Sequence, residues 1–157
     1  ALDIEAMHVS STQIRQALHA GEMDKATLAL TRPYFVTGEV VKGRQIGRTI
    51  GFPTANIKLS ETYKLLPKNG VYIVSSKIND TLFYGMMNIG NNPTIGDNEQ
   101  SIEVHFFEFN QNIYNKKIQI SILKHIREEQ KFNSIEELKS QLEIDKALSI
   151  EFIKGLI

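Results

Sequence analysis

Val71-Tyr72-Ile73-Val74-Ser75-Ser76, Asn79-Asp80 and Leu82-Phe83-Tyr84-Gly85-Met86-Met87-Asn88-Ile89 follow one another in a single stretch, and their reading decides the fold. The first run is β-branched and aromatic, opens after the turn signal Asn69-Gly70, and reads as a strand. Asn79 and Asp80 suit the positive φ angles of a tight turn, so the second run doubles back and pairs with the first as a hairpin. A parallel partner would need a crossover of about a dozen residues or more, for which there is no room. The local architecture is therefore antiparallel.

Outward from this hairpin the pattern recurs. On its C-terminal side Gly90-Asn91-Asn92-Pro93-Thr94 breaks the strand, and Ser101-Ile102-Glu103-Val104-His105-Phe106-Phe107-Glu108-Phe109 is the strongest strand in the chain. Alternation puts Ile102, Val104 and Phe106 on one face and Glu103, His105, Phe107 and Phe109 on the other. Gln111 to Lys117 connects to a last strand, Ile118 to His125. On the N-terminal side, Phe35 to Lys42 carries Val36, Thr37, Val40 and Val41, and Pro53 bars a helix at Phe52 and starts another extended run. Lys58 to Lys68, polar and containing Pro67, reads as a surface excursion. About six short strands, with connections mostly too short for helical crossovers, favour a closed antiparallel barrel over a parallel sheet.

Helices flank the strands. Ser10-Ser11-Thr12, ahead of Ile14, Ala17 and Leu18, reads as the N-cap of a short helix that Gly21 ends. Met23 to Leu30 is a second helix, stopped by Thr31-Arg32-Pro33. Ser134-Ile135-Glu136-Glu137 is a capping box. It opens a C-terminal helix whose apolar stripe is Ile135, Leu138 and Leu142, continued less regularly by Leu148 and Phe152.

A chain of 157 residues that is 41% hydrophobic can bury the core of one ordinary domain plus an appendage, which excludes disordered and fibrous classes. Lys plus Arg number 18 and Asp plus Glu 18, so no global field draws the protein to nucleic acid or an anionic membrane, and any anion site is local. Cysteine is absent, which removes disulfides and thiolate metal sites and fits a reducing cytoplasm. No apolar run approaches the roughly 18 residues of a membrane span, and the start lacks the features of a signal peptide. A soluble, cytoplasmic protein is expected. His8, His19, His105 and His125 are too scattered for a zinc pattern, and there is no Gly-x-Ser-x-Gly elbow of a hydrolase.

The chemistry gathers in Gly43-Arg44-Gln45-Ile46-Gly47-Arg48-Thr49-Ile50-Gly51-Phe52-Pro53-Thr54-Ala55-Asn56. Gly43, Gly47 and Gly51 let the backbone approach a ligand closely, and Arg44 and Arg48 add fixed positive charge, the composition of a phosphate cradle. A plain mobile loop has the same composition. Thr54 and Asn56, two apart on an extended chain, point to one side and offer a hydroxyl and an amide oxygen. These are hard ligands suited to Mg²⁺ already partly held by phosphates, with a turn-forming role as the alternative. Gly38 and Gly43 have Walker A spacing, but Arg44-Gln45 stands where Lys and then Ser or Thr are required. Glu103 is a carboxylate among aromatics, and surroundings of low polarity make a carboxylate a better proton acceptor. A solvated strand-face glutamate is the plainer reading.

Val40-Val41-Lys42-Gly43, Gly47-Arg48 and Gly51-Phe52-Pro53-Thr54-Ala55-Asn56-Ile57 together resemble the signature of riboflavin kinases, in particular the kinase module of bacterial bifunctional riboflavin kinase/FMN adenylyltransferases. The resemblance runs from about Arg32 to Ala147. It implies a six-stranded antiparallel Greek-key barrel with a C-terminal helix and a short helical N-terminal segment. The implied activity is ATP-dependent phosphorylation of the riboflavin 5′-hydroxyl, giving FMN and ADP, with Mg²⁺. On this resemblance Gly43, Arg44, Gly47, Arg48 and Gly51 hold the ATP phosphates, and Thr54 and Asn56 bind nucleotide and metal. Glu103, in a Glu-x-His motif, is the catalytic base, and Arg127, Glu129, Lys131 and Phe132 belong to a flap beside the flavin. By composition alone Arg127 and Lys131 lie in a solvated charged stretch. Two departures stand out. Asn92 occupies a place that is commonly Arg in the motif Asn88-Ile89-Gly90 with Pro93-Thr94, and Asn115 replaces the glycine of a Tyr-Gly-Lys turn at Tyr114 to Lys116. Asn tolerates the left-handed conformation, so that turn is expected to survive.

Arg32-Pro33-Tyr34 resembles the junction between the two domains of the bifunctional enzymes, and Ser10-Ser11-Thr12 with Arg15 resembles a phosphate motif near the end of their adenylyltransferase domain. Residues 1–31 are thus expected to be a remnant of that domain plus linker, and 32–157 the kinase domain; Ala1 in place of Met reads as the start of a fragment. Expected partners are riboflavin/FMN, ATP/ADP and the adenylyltransferase domain of a parent chain, with no nucleic acid and no membrane. Two other classes compete: a catalytically inactive flavin- or nucleotide-binding sensor, and an oligonucleotide-binding barrel. Neutral charge and the lack of a basic stripe with interleaved aromatics count against the second. Incubated with riboflavin, ATP and Mg²⁺, the chain is expected to yield FMN and no FAD. Chromatographic detection of FAD made from FMN and ATP would contradict this.

Overall fold

Apolar side chains at alternate positions close six strands into a single sheet. The computed structural model describes residues 4–41, 51–60, 66–91 and 100–156, with side chains from residue 12 onward. In chain order the elements are α1 (Ile4–Ala20), α2 (Met23–Leu30), β1 (Tyr34–Val41), β2 (Ala55–Leu59), β3 (Gly70–Ile78), β4 (Thr81–Asn91), β5 (Gln100–Phe106), β6 (Lys117–Arg127) and α3 (Ile135–Lys154). The strands form a closed barrel in the order β1-β2-β5-β4-β3-β6, and every neighbouring pair is antiparallel. β3, β4 and β5 follow one another and β6 returns to lie beside β3, which is the expected Greek key.

The inward positions make one buried cluster. It takes Val36 and Val40 from β1, Ile57 from β2, Tyr72 and Val74 from β3 and Met87 and Ile89 from β4. β5 adds Ile102, Val104 and Phe106, and β6 adds Ile118, Ile120 and Ile122. Asn79 and Asp80 turn the β3–β4 hairpin at φ 51° and 64°, with Ile78 paired to Thr81, as the sequence requires. Asn115 likewise adopts φ 67° in place of a glycine.

At the end of α1, Gly21 takes φ +74°, its N–H donates to Leu18 O (3.2 Å) and the Glu22 N–H donates to Ala17 O (2.8 Å). Those two bonds are a Schellman cap, which satisfies carbonyls that the helix leaves open. Leu18 and Met23 belong to the barrel's own buried cluster, and the Lys68 N–H donates to Leu18 O at 3.0 Å. The helical pair is thereby packed into the core instead of standing apart. No helix among the described residues is long and apolar enough to cross a membrane.

Several local expectations are corrected. α1 begins at Ile4, so Ser10 to Thr12 lie inside the helix and not at its cap; Glu5, Ala6 and Met7 are good helix formers that extend it. β5 ends at Phe106 and Glu108 takes φ 50°, which breaks alternation and turns Phe109 toward the core side, against Phe83 (4.8 Å between centroids) and Phe106 (5.3 Å). β4 runs through Gly90 to Asn91. Lys58 belongs to β2 and Pro67 is buried, so the surface excursion is shorter than its polarity implies. In α3, Ile135 and Leu148 are 54% and 53% exposed, while Asp145, Ser149 and Ile153 are buried. The polar residues face inward because Asp145 receives an arginine from the sheet and the Ser149 hydroxyl donates back to Asp145 O (2.7 Å). The capping box is present with a shift: the Glu137 N–H donates to Ser134 Oγ, but the Glu137 carboxylate accepts from the Asn133 N–H (both 3.1 Å).

Gly70 opens β3 at φ +151°, where a Cβ would stand 2.7 Å from both Arg127 O and His125 Nε2. The β3–β6 register shifts between Val71 and Tyr72 at this approach. Gly70→Ala should therefore destabilise the protein by about 3 kcal/mol, an overpacking cost added to an unfavourable φ. Urea unfolding of wild type and variant measures it, and a difference under about 0.5 kcal/mol, the size of an ordinary surface change, would show that the contact yields freely.

Candidate active site

One row of paired residues collects the chemistry. Since every neighbouring pair is antiparallel, β1 ends and β2 begins at one rim, where the glycine-rich connection attaches, while β4 and β6 end and β3 and β5 begin at the other, where the β4–β5 connection and the segment after β6 attach. Register makes this quantitative. Val41 pairs with Asn56, Asn56 with Glu103, Glu103 with Asn88, Asn88 with Val71, and Val71 with Arg127, a row with one residue from each strand that crosses the sheet from the end of β1 to the end of β6. Neighbouring strands lie about 4.8 Å apart, so Asn56, Glu103 and Asn88 are adjacent across three strands. Their neighbours Ile57, Val104, Met87 and Ile89 point into the core, so all three project outward.

Of the residues singled out from the sequence, Gly43, Arg44, Gly47 and Arg48 lie outside the described residues, as do Asn92, Pro93 and Thr94. Gly51 is exposed at φ +86° with open space around its Cα, compatible with close approach of a ligand. Thr54, just before β2, and Asn56 within it are half-buried, and so is Glu103. Among the described residues no three His, Asp or Glu side chains gather as a self-sufficient metal site. The hydroxyl and amide oxygens of Thr54 and Asn56 suit a hard cation that takes its other ligands from phosphate and water.

His105 stands two residues from Glu103, 9% exposed. Its Nδ1 lies 2.7 Å from Pro53 O, and since a carbonyl only accepts, the proton is on Nδ1. The ring meets Phe52 and Phe107 edge-on, at 5.2 and 5.7 Å between centroids. Burial pushes its pKa down, against a smaller upward pull from the Pro53 bond. Phe52, Val71 and Met86, with Phe107, Ile126 and Leu142 packed on them, form a second apolar cluster outside the barrel wall and under α3. Glu103 and Asn56 thus sit beside a patch of low polarity.

The segment after β6 is held by α3. Arg127 Nε donates to both oxygens of Asp145 (3.0 Å each), and its Nη2 lies 2.9 Å from Asp145 Oδ2. Asp145 is fully buried and also accepts from Gln141 Nε2 at 3.0 Å. The same guanidinium donates to Glu128 O (3.1 Å) and covers the Phe132 ring at 5.7 Å. Between this segment and the first turns of α3 lies an open groove of about 450 Å³, lined by Lys131, Phe132, Glu136, Ser140, Gln141 and Ile144 among others. Lys131 and Phe132 therefore border a ligand-sized space. Arg127 and Glu129 are absent from its lining: Arg127 is engaged with Asp145, and the Glu129 carboxylate lies over Gly90, in the space a Cβ would fill.

The β2–β5 ladder sets Asn56 opposite Glu103, with Thr54 two residues before Asn56 and just outside the strand. Asn88, His105, Asp145 and Gln141 were not singled out as site residues. Alternation from Met86 could have turned Asn88 outward, but nothing local identifies Glu103 as its neighbour. For Asp145 the signal was its helical spacing from Leu138 and Leu142.

Comparison with known proteins adds to this geometry. The riboflavin kinase (Flavokinase) family model matches residues 30–153. The bifunctional riboflavin kinase/FMN adenylyltransferase of Bacillus subtilis is 44% identical over 151 residues, covering 94% of this chain and 48% of that protein. The chain spans about half the length of the curated relatives it matches. Among solved structures, one described as a macrolide-efflux protein from Streptococcus pneumoniae superposes with a TM-score of 0.83 at 38% identity, covering 88% of this chain and 45% of that one. Riboflavin kinase from Trypanosoma brucei shares the fold at a TM-score of 0.54 and 24% identity, covering 78% of this chain and 80% of that one.

Because Asp145 is buried, removing its partner leaves an uncompensated charge. Arg127→Ala should cost about 3–5 kcal/mol in chemical denaturation, whereas Phe132→Ala, at a half-buried ring, should cost about 1 kcal/mol. Equal losses in the two variants would mean that the Arg127–Asp145 pair does not secure the segment.

Proposed function

The chain belongs to the riboflavin kinase family, and from that premise we propose that it transfers the γ-phosphoryl group of ATP to the 5′-hydroxyl of riboflavin. The observation that carries the reading is the register row Asn56–Glu103–Asn88, which starts beside the point where the glycine-rich connection enters β2. The riboflavin oxygen attacks the γ-phosphorus in line, forming a new O–P bond as the bond to the β-phosphate oxygen breaks. Its proton passes to the Glu103 carboxylate, and FMN and ADP leave.

The glycine backbone of Gly43, Gly47 and Gly51 and the charges of Arg44 and Arg48 hold the phosphates. Thr54 and Asn56 would hold Mg²⁺, which would neutralise charge on the phosphates. Catalysis of this kind rests mainly on positioning and charge stabilisation. The groove bordered by Lys131 and Phe132 supports the flavin's place between the post-β6 segment and α3. Arg127 supports that place by holding the segment to Asp145. We also read residues 1–31 as the tail of an adenylyltransferase domain with its linker and 32–157 as the kinase domain. The end of α2 at Leu30 and the family match from residue 30 support that division.

Glu103→Gln preserves size and hydrogen-bonding reach while removing the proton acceptor, so kcat should fall about 10²- to 10⁴-fold with riboflavin affinity retained. Turnover at saturating riboflavin and MgATP, together with quenching of riboflavin fluorescence, makes the measurement. A variant within about threefold of wild type, far below the contribution of a general base, removes Glu103 from the mechanism. A wild-type protein that binds riboflavin without forming FMN is a sensor instead of a kinase.

A further inference from the structure

We propose that His105 is a positioning residue, whose bond to the Pro53 carbonyl fixes Thr54 and Asn56 relative to the strand that carries Glu103. The proposal rests on the kinase reading above and extends it to a residue with no assigned role.

The argument begins with the ladder between β2 and β5. Asn56 pairs with Glu103 and Ala55 with Val104, so the next pair in register would be Thr54 with His105. The strand stops before that pair, because β2 begins at Ala55. Pro53 has no N–H to offer a ladder, so backbone pairing cannot continue into the glycine-rich connection. A side chain makes the tie instead. The His105 Nδ1–H reaches Pro53 O at 2.7 Å and binds the residue immediately before Thr54 to β5.

The ring has little freedom to do anything else. It is 9% exposed and clamped edge-on between Phe52 and Phe107. Phe52 is itself 7% exposed and belongs to the apolar cluster with Val71 and Met86, so the Phe52-Pro53 dipeptide is anchored twice, by packing and by the hydrogen bond. The carbonyl of Pro53 can only accept, so the proton facing it is on Nδ1. His105 and Glu103 are two apart on one strand and share a face, so one rigid strand sets both the base and the tether of the opposing ligands.

The test uses three variants of the full chain. His105→Phe keeps the ring packing and removes the donor. His105→Asn places an amide N–H near the position of Nδ1, and His105→Gln places it near Nε2. Amide hydrogen exchange at Thr54, Ala55 and Asn56 reads the tether directly, and calorimetric MgATP binding and riboflavin fluorescence quenching read its consequence. In His105→Phe, exchange at these amides should accelerate and MgATP affinity should fall about tenfold, the worth of one net hydrogen bond, with riboflavin affinity within about twofold. His105→Asn should restore most of both and His105→Gln neither.

Unchanged exchange in His105→Phe overturns the proposal whether or not the protein is active. Faster exchange with unchanged MgATP affinity, or equal loss of both ligands, reduces His105 to a packing residue and also overturns it. Should His105→Phe fail to fold, Asn and Gln variants that behave alike do the same. If wild type binds no MgATP, the kinase reading fails first and the positioning role falls with it, while the exchange data still report whether the tether exists.

Discussion

The register of β5 between β2 and β4 is the constraint on which the rest depends. Ile102, Val104 and Phe106 are held in the core by neighbours on both sides, and a one-residue slip would turn them out and Glu103 in. Burial of those three side chains, each worth about 1.5–3 kcal/mol relative to exposure, makes such a slip prohibitive. The outward row of Asn56, Glu103 and Asn88 is therefore placed by residues that take no part in the chemistry. Polar groups on the outer face are positioned by apolar groups one residue away.

A second constraint acts on the segment after β6. Its connection to α3 has no strand pairing of its own, and it is shaped by one buried carboxylate that receives Arg127 bidentately and Gln141 from the side. A buried ion pair contributes little net stability compared with an apolar replacement, but breaking it is costly. Such a pair is suited to specifying one arrangement of a segment, and here the segment borders the groove. The two constraints meet at Val71, which pairs with both Asn88 and Arg127 and belongs to the apolar cluster under α3. The site thus has a wall set by sheet register and a flank set by helix docking.

What lies between them is apolar. Phe52, Met86 and Phe107 pack outside the barrel, where a freestanding barrel would carry polar residues, and α3 with Leu142 covers part of this patch. The patch holds the His105 ring, and through it the end of the glycine-rich connection. It also borders the half-buried Glu103 on the same face of β5.

The sequence by itself determined the strands, the Asn79-Asp80 turn, the αL position of Asn115, the Ser134 cap and the outward alternation of Glu103 on β5. All of these follow from period-two alternation, from residues that tolerate positive φ, or from caps reaching three residues along the chain, and each acts over a few residues. Only the tertiary structure decided that Asn88 stands beside Glu103, that Arg127 is taken by Asp145, that Phe109 turns back to the core and that Ile135 and Leu148 face outward. Pairings such as Arg127 with Asp145 join residues far apart in the chain, and spacing within a segment carries no information about which distant partner will meet it. The apolar spacing of α3 misleads for the same reason: a helix turns a polar residue inward when the surface it docks on presents a charge, and that surface is made by another part of the chain.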